Sequence, residues 1–148
     1  MDRLKKIEIC EYKGLKFEVE QEYYFDEFLN SEYVDVDLGN ENLRKIRNEY
    51  RKINNLLTDD GIKHIRNMYN LSQRDFAIAL GFDEVTIAKY ESNTIQDSIH
   101  DTILRKSQSP KYFLTLLIKN KEMFIKINGT QKYDELIKDV TIKITNLI

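Results

Sequence analysis

Residues 70–93 place the tightest constraint on the fold. Ser72-Gln73-Arg74-Asp75 has the form of a capping box, with Asp where Glu or Gln is usual, and Phe76, Ala77 and Leu80 follow on one side of the helix it starts. Gly81 comes next and supplies a turn through backbone conformations that other residues avoid. Phe82 is an apolar plug, and Asp83 stands where it can cap a further helix through Glu91 that holds Val85, Ile87, Ala88 and Tyr90. Another helix precedes this pair, because Thr58-Asp59-Asp60 is an acidic start signal and Ile62, Ile65 and Tyr69 recur at helical spacing up to Asn70. Short helices joined by a tight glycine turn are the helix-turn-helix arrangement, whose second helix is laid in the DNA major groove.

In that arrangement Ala77, Leu80, Ile87 and Tyr90 are buried to hold the two helices at a fixed angle, and Glu84, Val85, Thr86 and Lys89 point outward. Each has a role under the groove code: Lys89 donates to guanine, Thr86 and Val85 offer methyl groups to thymine, and Glu84 accepts from cytosine. Gln73 bonds a phosphate. Arg74, Asn93 and Gln96 complete the expected DNA-binding set. Asp83 is assigned to capping, since a carboxylate facing phosphates is repelled.

The segment LSQRDFAIALGFDEVTIAKYESN resembles the Cro/repressor-like (XRE-type) helix-turn-helix family, with Ser72-Gln73, Phe76-Ala77, Leu80-Gly81, Thr86-Ile87 and Tyr90-Glu91 on its pattern. Asn93 stands where that family commonly has Gly, and Asn also visits the left-handed conformation needed after a helix. A narrower likeness covers residues 6–119. An N-terminal strand pair, Leu56-Leu57-Thr58, Ile95-Gln96-Asp97, His100-Asp101 and Pro110-Lys111-Tyr112-Phe113 are similar to the MqsA-type (YgiT-type) antitoxins. That resemblance implies an N-terminal module that binds a toxin and a helix-turn-helix that dimerises and represses its own operon. Where the family places a Cys-x-x-Cys after the second strand, this chain has Phe25-Asp26-Glu27-Phe28, so zinc binding is not carried over. The two aromatics are expected to form a small hydrophobic cluster in place of the metal.

The N-terminal part reads as β structure. Ile7 and Ile9, then Leu15, Phe17 and Val19, are placed on one face of a hairpin whose turn is Tyr12-Lys13-Gly14, with Lys16, Glu18 and Glu20 opposite. The alternation of Val34, Val36 and Leu38 predicts a third strand over 32–38. After Gly39-Asn40, residues 42–57 place Leu43, Ile46, Tyr50, Ile53 and Leu57 on one helical stripe, with Arg44, Lys45, Arg47, Arg51 and Lys52 as a charged surface that could lie along a phosphate backbone. Residues 1–40 carry five basic and eleven acidic groups, whereas the rest carry 18 and 14, so an acidic head precedes a mildly basic body within a net charge of −2. Such asymmetry is a hint of nucleic-acid or partner binding.

Beyond Pro110, the residues Tyr112, Phe113, Leu116 and Leu117 form an apolar helical face, and a further stretch runs from Glu122 to Asn128. Thr130 is expected to cap a last helix with the stripe Leu136, Ile137, Val140, Ile144 and Leu147, although the β-branched density of 140–145 keeps a strand open. That stripe serves either the core or a dimer.

Several function classes are not expected. His64 and His100 are far apart in sequence and, with the lone Cys10, make no ligand cluster at metal spacing, so both are assigned to helix surfaces and neither metal nor cofactor is anticipated. There is no glycine-rich phosphate loop and no Ser, His and Asp set with any family context, hence no expected enzyme. The opening MDRLKKIEIC lacks the apolar region of a signal peptide, and the single cysteine suits a reducing compartment, so a cytoplasmic protein without a membrane partner is expected.

The reading is an α+β protein: an acidic β-hairpin module (1–40), a connecting amphipathic helix (41–57), an all-α Cro/repressor-like helix-turn-helix domain (58–118) and a C-terminal extension (119–148). It is expected to act as a homodimeric repressor on double-stranded operator DNA, with residues 1–40 engaging a toxin. The alternatives are a mobile-element inhibitor whose acidic head blocks a nucleic-acid-binding enzyme, and a lone regulator whose head only helps the dimer.

Overall fold

The computed structural model describes residues 2–146. Among these the chain forms three strands followed by eight helices, an α+β fold. It divides into two compact units, Met1–Leu56 and Leu57–Ile148.

In the first unit β1 (Leu4–Tyr12), β2 (Leu15–Asp26) and β3 (Ser31–Tyr33) form an antiparallel sheet in the order β1-β2-β3. Lys13 and Gly14 both adopt positive φ, 49° and 81°, the conformation of a two-residue hairpin turn whose twist matches the strands. Tyr12 pairs with Leu15, so every odd-numbered residue of β2 opposes an even-numbered residue of β1. The expected grouping of apolar residues is corrected by this register. Phe17 and Val19 are buried opposite Cys10 and Glu8, while Ile7 and Ile9 lie on the other face, 69% and 73% exposed. A three-residue turn would have aligned all of them; including Tyr12 in the strand flips β1 by one residue.

The third strand is also shorter than expected. The side chain of Asp35 caps a helix by accepting from the Leu38 amide at 2.8 Å, so Val36 opens α1 (Val36–Ile53) instead of extending β3. α1 covers the sheet with Leu38 and Asn42, and Tyr50 meets Tyr12 edge-on at 5.4 Å between ring centroids. Asn42 accepts from the Glu22 amide at 3.0 Å and donates to the Glu22 carbonyl at 2.8 Å, standing in for a strand neighbour on β2. Because this face starts at Leu38, the stripe expected from Leu43 is only partly used. Leu43 and Ile53 are half exposed, and Leu57 lies beyond the helix. The helix expected as a connector thus belongs to the first unit. Arg51, expected on the charged surface, is buried and donates to Asn48 Oδ1 at 3.0 Å.

The second unit holds α2 (Asp59–Met68), α3 (Gln73–Leu80), α4 (Thr86–Ser92), α5 (Ser98–Lys106), α6 (Pro110–Lys119), α7 (Lys121–Asn128) and α8 (Thr130–Thr145) around one core. Its starts follow the sequence chemistry: Thr58 accepts from the Gly61 amide at 3.2 Å, Ser72 from the Asp75 amide at 3.1 Å, and Ser109 precedes Pro110 at the first helical position. Residues 119–146 are not an appendage. Phe124, Tyr133, Leu136 and Val140 are buried in the same core as Phe76, Ile87 and Phe113, each contributing on the order of 1.5–3 kcal/mol of burial. α8 settles the helix-or-strand choice, because the core takes Tyr133, Leu136 and Val140 at helical spacing. Thr130 is the first helical residue after Gly129 and supplies no side-chain cap, contrary to expectation. Leu147 lies outside the described residues. Among the described residues no helix is long and apolar enough to cross a membrane.

Candidate nucleic-acid interface

α3, the Gly81 turn and α4 build the helix-turn-helix unit. Gly81 closes α3 at φ 83° and ψ 18°, and the Phe82 amide reaches back to the Ala77 carbonyl at 2.9 Å, the bonding of a left-handed helix cap. The expected role of Asp83 is corrected. α4 begins later, after Val85, without a side-chain cap; the Asp83 carbonyl takes the Thr86 amide at 3.0 Å, making a turn before the helix. Asn93 is corrected as well: its φ of −147° is not left-handed, and Asn93 and Thr94 both return their amides to the Lys89 carbonyl at 2.9 Å.

The orientation of α4 is held by polar groups that periodicity did not single out. Arg66 on α2 grips Glu91 at the end of α4 with two bonds of 2.9 Å, from Nε to Oε2 and from Nη2 to Oε1, and its Nη1 donates to the Leu71 carbonyl at 2.9 Å. Gln73 adds a bond from Nε2 to Glu91 Oε1 at 3.2 Å. Both charged side chains are largely buried, 13% and 7% exposed, so this bidentate pair works in a partly desolvated setting. Next to Glu91 on α4, Tyr90 Oη and His100 Nδ1 lie 2.6 Å apart, and the His100 ring stacks on Phe82 at 3.8 Å. His100 is therefore a clamp between the turn and α5, not the helix-surface residue expected; His64 is exposed on α2.

The expected site residues fall into three groups. Glu84, Val85, Lys89 and Asn93 are exposed, Thr86 is half-buried between them, and all lie on or next to α4. Gln73 and Arg74 open α3: Gln73 is half-buried with its amide on Glu91, and Arg74 reaches Asn128 Oδ1 at 3.3 Å. Gln96 does not belong to the surface. It is 2% exposed, and its amide donates to the Leu57 carbonyl at 2.7 Å and to Asp101 Oδ1 at 3.1 Å, so it is removed from the set. Asp101 also accepts from the Leu57 amide at 2.9 Å and from Arg105 Nε at 2.7 Å, which pins the entry to α2 against α5.

Asp75 joins α3 to α8. Burial pushes its carboxyl up, but the Lys132 ammonium, 2.7 Å from Oδ2, with Asn128 and Arg74 beside it, outweighs burial and holds it below its ordinary value of 3.8. A lowered folded-state value stabilises the protein fully above pH 3.8, and this contribution is lost as pH falls through the lower value. Acid unfolding followed by circular dichroism should therefore be less steep in Asp75→Asn than in the parent. An unchanged acid limb would remove Asp75 from the acid response.

The hydrophobic cluster expected in place of a metal site does not form. Asp26 Oδ1 accepts from the Phe28 and Leu29 amides at 2.9 and 3.1 Å, and this turn leaves Phe28 98% exposed while Phe25 is half-buried. Among the described residues no group of three or more His, Cys, Asp or Glu side chains is placed to hold a metal ion.

Compared with models of protein families, with curated proteins and with solved structures, the chain matches none.

Proposed function

We propose that this protein is a sequence-specific, homodimeric DNA-binding repressor, an antitoxin-like autoregulator of the XRE type. The supporting observation is the α3-Gly81-α4 unit, in which Arg66–Glu91 and Tyr90–His100 fix a short helix whose outer side carries Thr86 and Lys89, with Val85 exposed just before it. α4 enters the major groove, Lys89 donates to guanine, the methyl groups of Val85 and Thr86 meet thymine, and Glu84 accepts from cytosine. Arg74 and Gln73, at the start of α3, position the phosphate backbone.

The first unit engages a protein partner. Residues 1–40 carry eleven acidic and five basic groups, and although Arg3, Lys5 and Lys6 pair with Glu22, Glu20 and Glu32, the net excess of negative charge attracts a basic protein. A basic ribonuclease toxin fits this chemistry; so does a nucleic-acid-binding enzyme, the target in the mobile-element reading. A small basic toxin encoded beside this gene would favour the first.

The test is binding of the full chain to the DNA upstream of its own gene at two salt concentrations. Salt-sensitive, sequence-preferring binding is expected, and Lys89→Ala should weaken it by about 1–3 kcal/mol, or about 5- to 150-fold. Equal affinity for operator and scrambled DNA, or no effect of Lys89→Ala, would overturn the assignment.

A further inference from the structure

We propose that the first unit pairs with a second copy of this chain through the free edge of β1, giving a continuous six-stranded antiparallel sheet with its twofold axis at Glu8. This goes beyond the DNA-binding reading and stands whether or not α4 reads bases. β1 is nine residues long, contains no proline, and pairs with β2 in unbroken register from Leu4 to Tyr12. Among the described residues β2 is its only sheet neighbour. Edges of that length are normally interrupted by a bulge or a proline, because an open row of backbone donors and acceptors is a template for another strand. Ile7 and Ile9 stand beside this edge, 69% and 73% exposed, facing Glu20 and Glu18 across β2, with no apolar partner there.

The sequence of β1 complements itself. Antiparallel pairing about Glu8 sets Ile7 against Ile9 of the second copy and Lys5 against its Glu11, each pair occurring twice. A twofold axis perpendicular to the sheet keeps faces matched, so the four isoleucines form one apolar patch flanked by two opposite-charge pairs. On the other face Glu8 meets its own copy, and Lys6 Nζ lies 2.9 Å from Glu8 in each chain to offset the repulsion. A one-residue slip would set Ile7 against Glu8, and a slip to an axis at Ile7 would set Lys5 against Ile9. Charge and apolar matching together favour the Glu8 axis.

The experiment uses the full chain with Glu8→Cys in a Cys10→Ser background. At a twofold axis the two introduced cysteines lie directly opposite, within about 4.5–5.5 Å between Cα atoms, the span a disulfide bridges. Mild oxidation is expected to yield a covalent dimer. Adding Lys5→Glu, which also ends the Lys5–Glu20 bridge, should reduce the cross-link by setting Glu against Glu11, and adding Glu11→Lys as well should raise it again. In parallel, chains bearing only Lys5→Glu and chains bearing only Glu11→Lys, with Glu8 and Cys10 retained, should associate with each other more tightly than either does with itself by sedimentation. Cross-linking no greater than for a cysteine at exposed Lys16, or indifference to charge reversal in both measurements, overturns the proposal. A strand of another protein as the true occupant would give that same result.

Discussion

Glu91→Ala is expected to destabilise the second unit by about 3–5 kcal/mol, read as a lower urea midpoint with an unchanged slope. The cost is set by what remains: the Arg66 side chain, 13% exposed in the parent, keeps only its bond to the Leu71 carbonyl, while Gln73 also loses its acceptor. A buried charge without its partner is the expensive state, more so than an apolar replacement of both residues. The double variant Arg66→Met, Glu91→Leu should therefore recover most of the loss in stability. A single variant as stable as the parent would mean that the pair contributes little. Because the pair joins α2 to α4, the single variant should also weaken the proposed operator binding through a misplaced α4, an effect restored less fully than stability by the apolar pair.

Phe113→Ala should cost a similar amount, about 3–5 kcal/mol. Phe113 is fully buried on α6, stacks on Tyr69 at 3.9 Å and lies 5.9 Å from Phe76, so its removal opens a hole where α2, α3 and α6 meet. Tyr69 cannot collapse into it freely, since its hydroxyl donates to the Ser107 carbonyl at 2.5 Å. The same burial raises the Tyr69 phenol to about 12, because ionising it would place a charge in that dry setting. Thermal unfolding should show a much lower midpoint for Phe113→Ala than for Phe113→Leu, which keeps most of the volume. Equal midpoints would mean that the site relaxes around the lost ring.

Much of the second unit was legible along the chain because its signals are local. Thr58 and Ser72 cap within one turn, Gly81 relieves a left-handed conformation at one residue, and Phe76, Ala77 and Leu80 mark a face by spacing alone. The exposure of Glu84, Val85 and Lys89 followed from the same periodicity, although Glu84 and Val85 precede α4 rather than lie on it. Arg66 carried an unused signal: it falls at helical spacing among Ile62, Ile65 and Tyr69, where a cation needs a buried partner.

Sequence by itself determined that there is a hairpin and a helix pair joined at Gly81, since caps, turns and periodicity act over a few residues. Only the tertiary structure decided which faces meet. The hairpin register depends on whether Tyr12 joins the turn or the strand, a difference of one residue that moves Ile7 and Ile9 to the far side. Gln96 reads as a surface amide until Leu57 and Asp101 surround it. The end of α8, residues 140–145, keeps a strand open as the alternative to a helix until a core accepts Tyr133, Leu136 and Val140 together. In each case the decisive partner is distant in sequence, and burial against that partner outweighs local preference by several side chains' worth of hydrophobic free energy.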